Sequence, residues 1–165
     1  MFRRVFYSFH YAADAWRTSQ VRQIGTIENE KVAHDNSWES VRRGGDRAIQ
    51  SWIDSQLNGR SCTVVLIGKD TAGRKWIDYE IKKSWNNGKG VVGIHIHRLK
   101  DANGAQTAKG NNPFDHFTIN GDRTVLSSIT KAYDPPFIDS KLVYNYISLK
   151  MREWIEEAIQ IRARY

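Results

Sequence analysis

The chain has 165 residues, 40% hydrophobic and 12% aromatic, enough for the core of one domain without disulfide staples. Its one cysteine, Cys62, excludes an internal disulfide framework, and no apolar run approaches the roughly 20 residues that span a bilayer. The formal charge of +7 invites an anionic partner, but the basic residues are dispersed in pairs such as Arg3-Arg4, Arg42-Arg43 and Lys82-Lys83, so a solvated basic surface accounts for it equally well.

In chain order, "RRVFYSFHY" (3–11) is rich in β-branched and aromatic residues and reads as a first strand. The opening "MFRRVFYSFHY" has no long apolar stretch, so no signal peptide is expected and a reducing cytoplasm is the default. "AADAWRTSQVRQI" spaces Ala12, Trp16 and Val21 as a helix would, and residues 25 to 45 lack a period and read as a long loop. "DRAIQSWIDSQL" places Ile49, Trp52, Ile53 and Leu57 on one helical face, with Asp46 at its start and Asn58-Gly59 closing it. "SCTVVLIG" is a nearly continuous apolar run, as a parallel strand buried on both faces requires. "AGRKWIDYEIKKSWNNG" is the next helix and "GVVGIHIH" the next strand. Residues 98 to 123 are polar, glycine-rich and irregular, a length usually functional or mobile. "RTVLSSITKAYD" predicts a shorter strand-like segment, and a long amphipathic helix follows from residue 140.

Strands alternating with helices predict an open parallel α/β sheet flanked by helices. Ligands on such sheets bind beyond the carboxyl ends of the strands, which points to residues 8–11, 68–75 and 95–113.

Several motifs fail on context. "GKGVVG" matches G-x-G-x-x-G, but Gly88 closes a helix and Gly93 lies within a strand, the reverse of a dinucleotide fingerprint. "VVLIGKDTAGRK" lacks Walker spacing, and no G-x-S-x-G elbow is present. His95 and His97 share a strand face, but His10, His34 and His116 are scattered without ligand spacing, so polar strand-end residues are favoured over a metal.

Glu80 is the acid of interest. Ile77, Ile81, Ser84 and Trp85 form the predicted buried stripe of its helix, and Trp76 and Glu80, four apart, share the flank beside it, with Lys83 beyond. A solvated Glu–Lys pair is the plain alternative. Against it, the helix begins just after a strand-end loop, which puts its first turns at the ligand-binding edge.

Taken together, "RRVFYSFHYAAD", "TVVLIG", "RKWIDYEIKKSW", "GKGVVGIHIH" and "GNNPFD" resemble the TIR-like (Toll/interleukin receptor-like) proteins of bacteria and archaea, and within them the TIR component of the Thoeris anti-phage defence system. The likeness runs from residue 3 to about residue 115, with residues 116–165 a subgroup-specific extension of one TIR-like domain spanning 1–165. It implies a flavodoxin-like fold and cleavage of NAD, with nicotinamide released and a cyclic or related ADP-ribose signal formed that activates a separate NAD-consuming effector. Trp76 and Glu80 fit the family's W-x-x-x-E arrangement, so Glu80 is implied as the catalytic residue. The first loop departs from the receptor pattern S-Y-x-x-x-D, reading "SFHYAAD" with His10 and Tyr11 inserted.

The chemistry needs one carboxylate. Nicotinamide departs neutral from a pyridinium, leaving an oxocarbenium-like ribose that a fixed carboxylate stabilises. Ser8, Phe9 and His10 follow the first strand; Phe9 and Trp76 are candidates to stack on adenine or nicotinamide, and His10, Arg74 or Lys75 to meet the diphosphate. Asn111 and Asn112 are candidates for ribose or base contacts or plain turn residues before Pro113. Asp35, Asn36 and Trp38 either close over a ligand or cap a helix. Trp16, Trp52, Trp85 and Trp154 read as core or interface. No metal and no resident cofactor are required, NAD being substrate, and self-association is expected as a route to activity. Two readings compete: a non-catalytic TIR-type adaptor, for which Glu80 would be dispensable, and a nucleic-acid-binding domain, disfavoured because no recognition motif accompanies the charge.

Overall fold

A computed structural model describes residues 3–26, 41–119 and 121–165. Asp35, Asn36 and Trp38 lie outside the described residues. In chain order the elements are β1 (Val5–Ser8), α1 (Tyr11–Thr26), α2 (Asp46–Leu57), β2 (Cys62–Ile67), α3 (Lys75–Asn86), β3 (Gly90–His95), a hairpin of β4 (Thr118–Ile119) and β5 (Thr124–Val125), β6 (Ala132–Tyr133) and α4 (Ser140–Arg162).

Strands β1, β2, β3 and β6 lie side by side in that order, all parallel, as the alternation of strand and helix requires. Every residue of β2 and β3 is buried. Their side chains alternate between faces. Val64, Leu66, Val92, Ile94 and Ile96 meet Val21 of α1 and Val143, Ile147, Met151, Trp154 and Ile155 of α4. Val65, Ile67 and Val91 face the other way, onto Ile77, Ile81 and Trp85 of α3 and onto Phe114. A third cluster joins Phe6 of β1 to Ile49, Ile53 and Leu57 of α2. Each such side chain, taken out of water, stabilises the fold by about 1.5–3 kcal/mol.

Helix ends follow local chemistry. Asp139 caps α4 by accepting from the N–H groups of Lys141 and Leu142. Gly88, at φ 76°, ends α3 in the left-handed region that side chains avoid. Gly90 is required by proximity: a Cβ there would lie 2.8 Å from the Ile159 backbone nitrogen, so α4 packs directly on β3.

The structure adjusts three expectations. The first strand ends at Ser8, because Asp14 N–H bonds to the His10 carbonyl and the chain turns helical at once. The stretch expected as one strand after residue 123 divides into β5, a 3-10 turn at Leu126–Ser128 and β6, and β4 ends the irregular segment before it. Of the tryptophans read as core or interface, Trp85 and Trp154 are buried in the core, whereas Trp16 is 56% exposed, which removes only the core alternative for it.

Candidate active site

The carboxyl ends of the strands gather the predicted residues unequally. Ser8, the last residue of β1, is 1% exposed, and its hydroxyl donates to the Glu80 carboxyl, a contact 72 residues apart in sequence. Glu80 itself is only 6% exposed. The helical wheel places it on a flank; the structure places it inside, because β1 stands beside that flank and closes over it. Burial pushes the Glu80 carboxyl from 4.5 up to about 8, opposed by the hydrogen bond from Ser8. A carboxyl with one donor, sequestered at a sheet's carboxyl edge, is poised to change charge when a cation arrives.

The turn of helix that carries Glu80 is anchored from below. Ser84 Oγ donates to the Glu80 carbonyl at 2.6 Å and lies 2.6 Å from Thr63 Oγ1 of β2, all of it buried. With Ile77 and Ile81 packed on the same strand, α3 has little freedom to slide.

Around this pair lies a polar rim. His10 is half-buried; burial and then the Arg74 guanidinium hold it below the ordinary histidine value, while Asp14 and Asp70 pull the other way. Arg74 itself is exposed, with Nε donating to the Asp70 carbonyl. His10 and Arg74, assigned together to a diphosphate, are thus close enough to act on each other.

The other candidates are placed differently. Trp76 is half-buried against the α2 cluster and edge-on to Tyr79, with ring centres 5.7 Å apart, so its ring is engaged with protein. Lys75 turns to α2: its Nζ bonds Asp46 at 2.5 Å and lies 4.9 Å from the Trp76 ring centre. Lys75 thus lends its charge to the α2–α3 contact through an exposed pair. Phe9 packs against the α1/α4 core under the Arg22 guanidinium, 5.1 Å from its ring centre. Asn112 Oδ1 accepts the Phe114 N–H, which is turn chemistry, while Asn111 is exposed.

Sequence reasoning missed the group that joins the loops. Arg17 is 2% exposed; it pairs with Asp14 at 3.1 Å and donates to the carbonyls of Leu99 and Ala105, so α1 holds the segment after β3. Asp14, also 2% exposed, lies against Gly68, where a Cβ would fall 2.0 Å from its carboxylate oxygen. Gly110 stacks on the Gly68 carbonyl with equal closeness, which brings "GNNPFD" to the end of β2. The Asp14–Arg17 spacing (i, i+3) on one helix was the legible signal. Among the described residues no group of three or more His, Cys, Asp and Glu side chains is placed to hold a metal ion. No described helix is long and apolar enough to cross a membrane.

Comparison with known proteins bears on this arrangement. The profile described as "Thoeris protein ThsB, TIR-like domain" matches residues 6–101, more than half of the chain, including most of β1, all of β2 and β3, and Ser8 and Glu80. A Bacillus cereus (strain MSX-D12) protein named "Putative cyclic ADP-D-ribose synthase ThsB1" is 41% identical over 121 residues, covering 70% of this chain. The matched part spans 63% of that relative's length. Four parallel strands, flanking helices and a long C-terminal helix, together with the profile match, establish that the chain belongs to the TIR-like domain family of Thoeris ThsB proteins.

Proposed function

We propose that the chain is a TIR-type enzyme that cleaves the nicotinamide–ribose bond of NAD and forms a cyclic or related ADP-ribose signal in bacterial anti-phage defence. The observation that carries this is the buried Ser8–Glu80 pair at the carboxyl edge of the sheet. The name of the Bacillus cereus relative supports the same class of product.

The reaction asks for one negative charge in a dry place. As the C–N bond breaks, the electron pair leaves with neutral nicotinamide and positive charge spreads over the ribose. Glu80, ionised, stabilises that charge and accepts from the ribose hydroxyls. The surrounding low dielectric makes the attraction stronger than it would be in water. Ser8 orients the carboxylate by donating to one oxygen, leaving the other for substrate. The pyridinium of NAD also explains how Glu80 sheds its proton: an adjacent cation favours the carboxylate and offsets the burial that holds the pKa near 8. Arg74 and His10 at the rim would meet the diphosphate. The signal would act in the cytoplasm on a separate NAD-consuming effector.

The test is nicotinamide release from NAD by the full chain and by Glu80→Gln, each alone and with lysate of phage-infected cells, with products resolved by chromatography. Release that disappears in the variant, by roughly two to three orders of magnitude, is the expected result. Equal release from both proteins would overturn the assignment of Glu80 and leave the adaptor reading.

A further inference from the structure

A second set of buried polar atoms lies two strands away from Glu80 and plays no part in the scheme above. His95 and His97 are each 4% exposed and hold their rings edge-on with centres 5.9 Å apart; His95, the last residue of β3, is on the same sheet face as Ser8. The Nδ1 atoms of both are buried without a hydrogen-bond partner among the described residues. Asp134, the residue after β6, completes the group: its Oδ2 pairs with Lys109 at 3.2 Å, and its Oδ1 is likewise buried and unpartnered. Three orphaned polar atoms in one place are costly to the fold, an arrangement that persists when something else completes it.

The chemistry of the group narrows what that is. Burial holds His95 down to about 4 and lowers His97 as well, so both rings are neutral at pH 7 and each offers one donor and one acceptor nitrogen. Asp134 Oδ1 only accepts. Acceptors and donors mixed at short range, around one carboxylate, suit hydroxyl groups, which both give and take a hydrogen bond. A carboxylate at the carboxyl edge of a parallel sheet is also a recurrent partner of ribose hydroxyls.

Distance ties the group to Glu80. Ser8 aligns with Val65 and Val65 with Gly93, so His95 lies two strands across and two residues further along than Ser8. At about 4.8 Å between strands and 3.3 Å per residue, that is about 12 Å from Ser8, and His97 follows in the turn beyond β3, its ring centre 5.9 Å from that of His95. Two riboses joined by a pyrophosphate span such a separation when extended.

We propose that His95, His97 and Asp134 form a ribose-diol subsite that holds the adenosine ribose of NAD while Glu80 acts on the nicotinamide ribose. This rests on the proposed function. By holding the adenosine half, the subsite sets which nucleophile reaches the anomeric carbon, and its carboxylate excludes a 2′-phosphate by charge repulsion.

The experiment is calorimetric binding to the full chain carrying Glu80→Gln, with NAD, NADP and nicotinamide mononucleotide as probes. Asp134→Asn and, separately, His97→Gln are then added, with circular dichroism to check folding. Expected are NAD affinity lowered about tenfold or more by either substitution, nicotinamide mononucleotide affinity unchanged, and the preference for NAD over NADP narrowed by Asp134→Asn. Unchanged NAD affinity in both variants would overturn the subsite, leaving these atoms to ordered water. Equal weakening of the mononucleotide would overturn it too, as a general loss of structure. Binding of neither NAD nor the mononucleotide by Glu80→Gln would instead remove the NAD reading from which the subsite follows.

Discussion

Replacing Glu80 by glutamine should stabilise this protein, and increasingly so as the pH rises. Burial lifts the carboxyl from 4.5 to about 8, so between these values the native state holds a proton that the unfolded chain has released. The stability contributed by the neutral, buried carboxyl is complete below pH 4.5 and is lost progressively up to pH 8. At about 1.4 kcal/mol for each pH unit, the loss has a ceiling of about 5 kcal/mol, and relaxation around a new charge reduces it to roughly 2–4 kcal/mol. Glutamine cannot ionise, fills nearly the same volume and still accepts from Ser8. Urea denaturation of both proteins from pH 5 to pH 9 should therefore give curves that coincide at the acid end and separate by those few kcal/mol above pH 8. Parallel curves would refute the reasoning, since they would mean that Glu80 ionises as easily in the fold as in the unfolded chain. The same burial makes the site a stability–activity compromise, because the group that destabilises when charged is the one the chemistry needs charged.

Other tests follow from the same geometry. In nicotinamide release, kcat/KM should rise with pH toward a midpoint near 8, because the free enzyme must lose the Glu80 proton; a profile flat from pH 6 to 9 would refute this. NAD binding at pH 7 should release a proton, read as calorimetric heats that differ between buffers of different ionisation enthalpy, and buffer-independent heats would count against a pyridinium beside Glu80. Arg17→Met leaves the Asp14 carboxylate buried and unpaired and strips donors from the Leu99 and Ala105 carbonyls. It should cost about 3–5 kcal/mol, with hydrogen exchange in residues 98–106 accelerating before the sheet's, and protection equal to wild type would be the contrary result. Gly110→Ala drives a Cβ to within 2.0 Å of the Gly68 carbonyl oxygen, so it should destabilise by about 1–3 kcal/mol or more, whereas alanine at exposed Ala-tolerant positions of α2 such as Gln50 should be nearly neutral in the same denaturation assay.

Much of the architecture was legible along the chain. The nearly continuous apolar run of "SCTVVLIG" announced a strand buried on both faces, "GVVGIHIH" announced the next strand, and the 3.6-residue spacing of Ile49, Ile53 and Leu57 announced α2; these patterns are local, and neighbours in sequence suffice to read them. Glu80 was legible as a candidate by its place after a strand-end loop, and Ser8 by the end of a strand. Their union was not, nor the depth of Glu80's burial, because a helical wheel records which flank a residue takes but not what stands beside that flank. That was decided by β1 docking 72 residues away. The same holds for Lys75, one of three candidates for a diphosphate, whose exposed pairing with Asp46 of α2 was invisible along the chain. It holds too for His95 and His97, read as strand-end polar residues and found buried beside Asp134, since only the parallel pairing of β3 with β6 brings the residue after Tyr133 to their side. Periodicity is a property of the chain and fixes elements and faces; burial and ionisation depend on distant segments arriving at one place, and only the folded sheet supplies them.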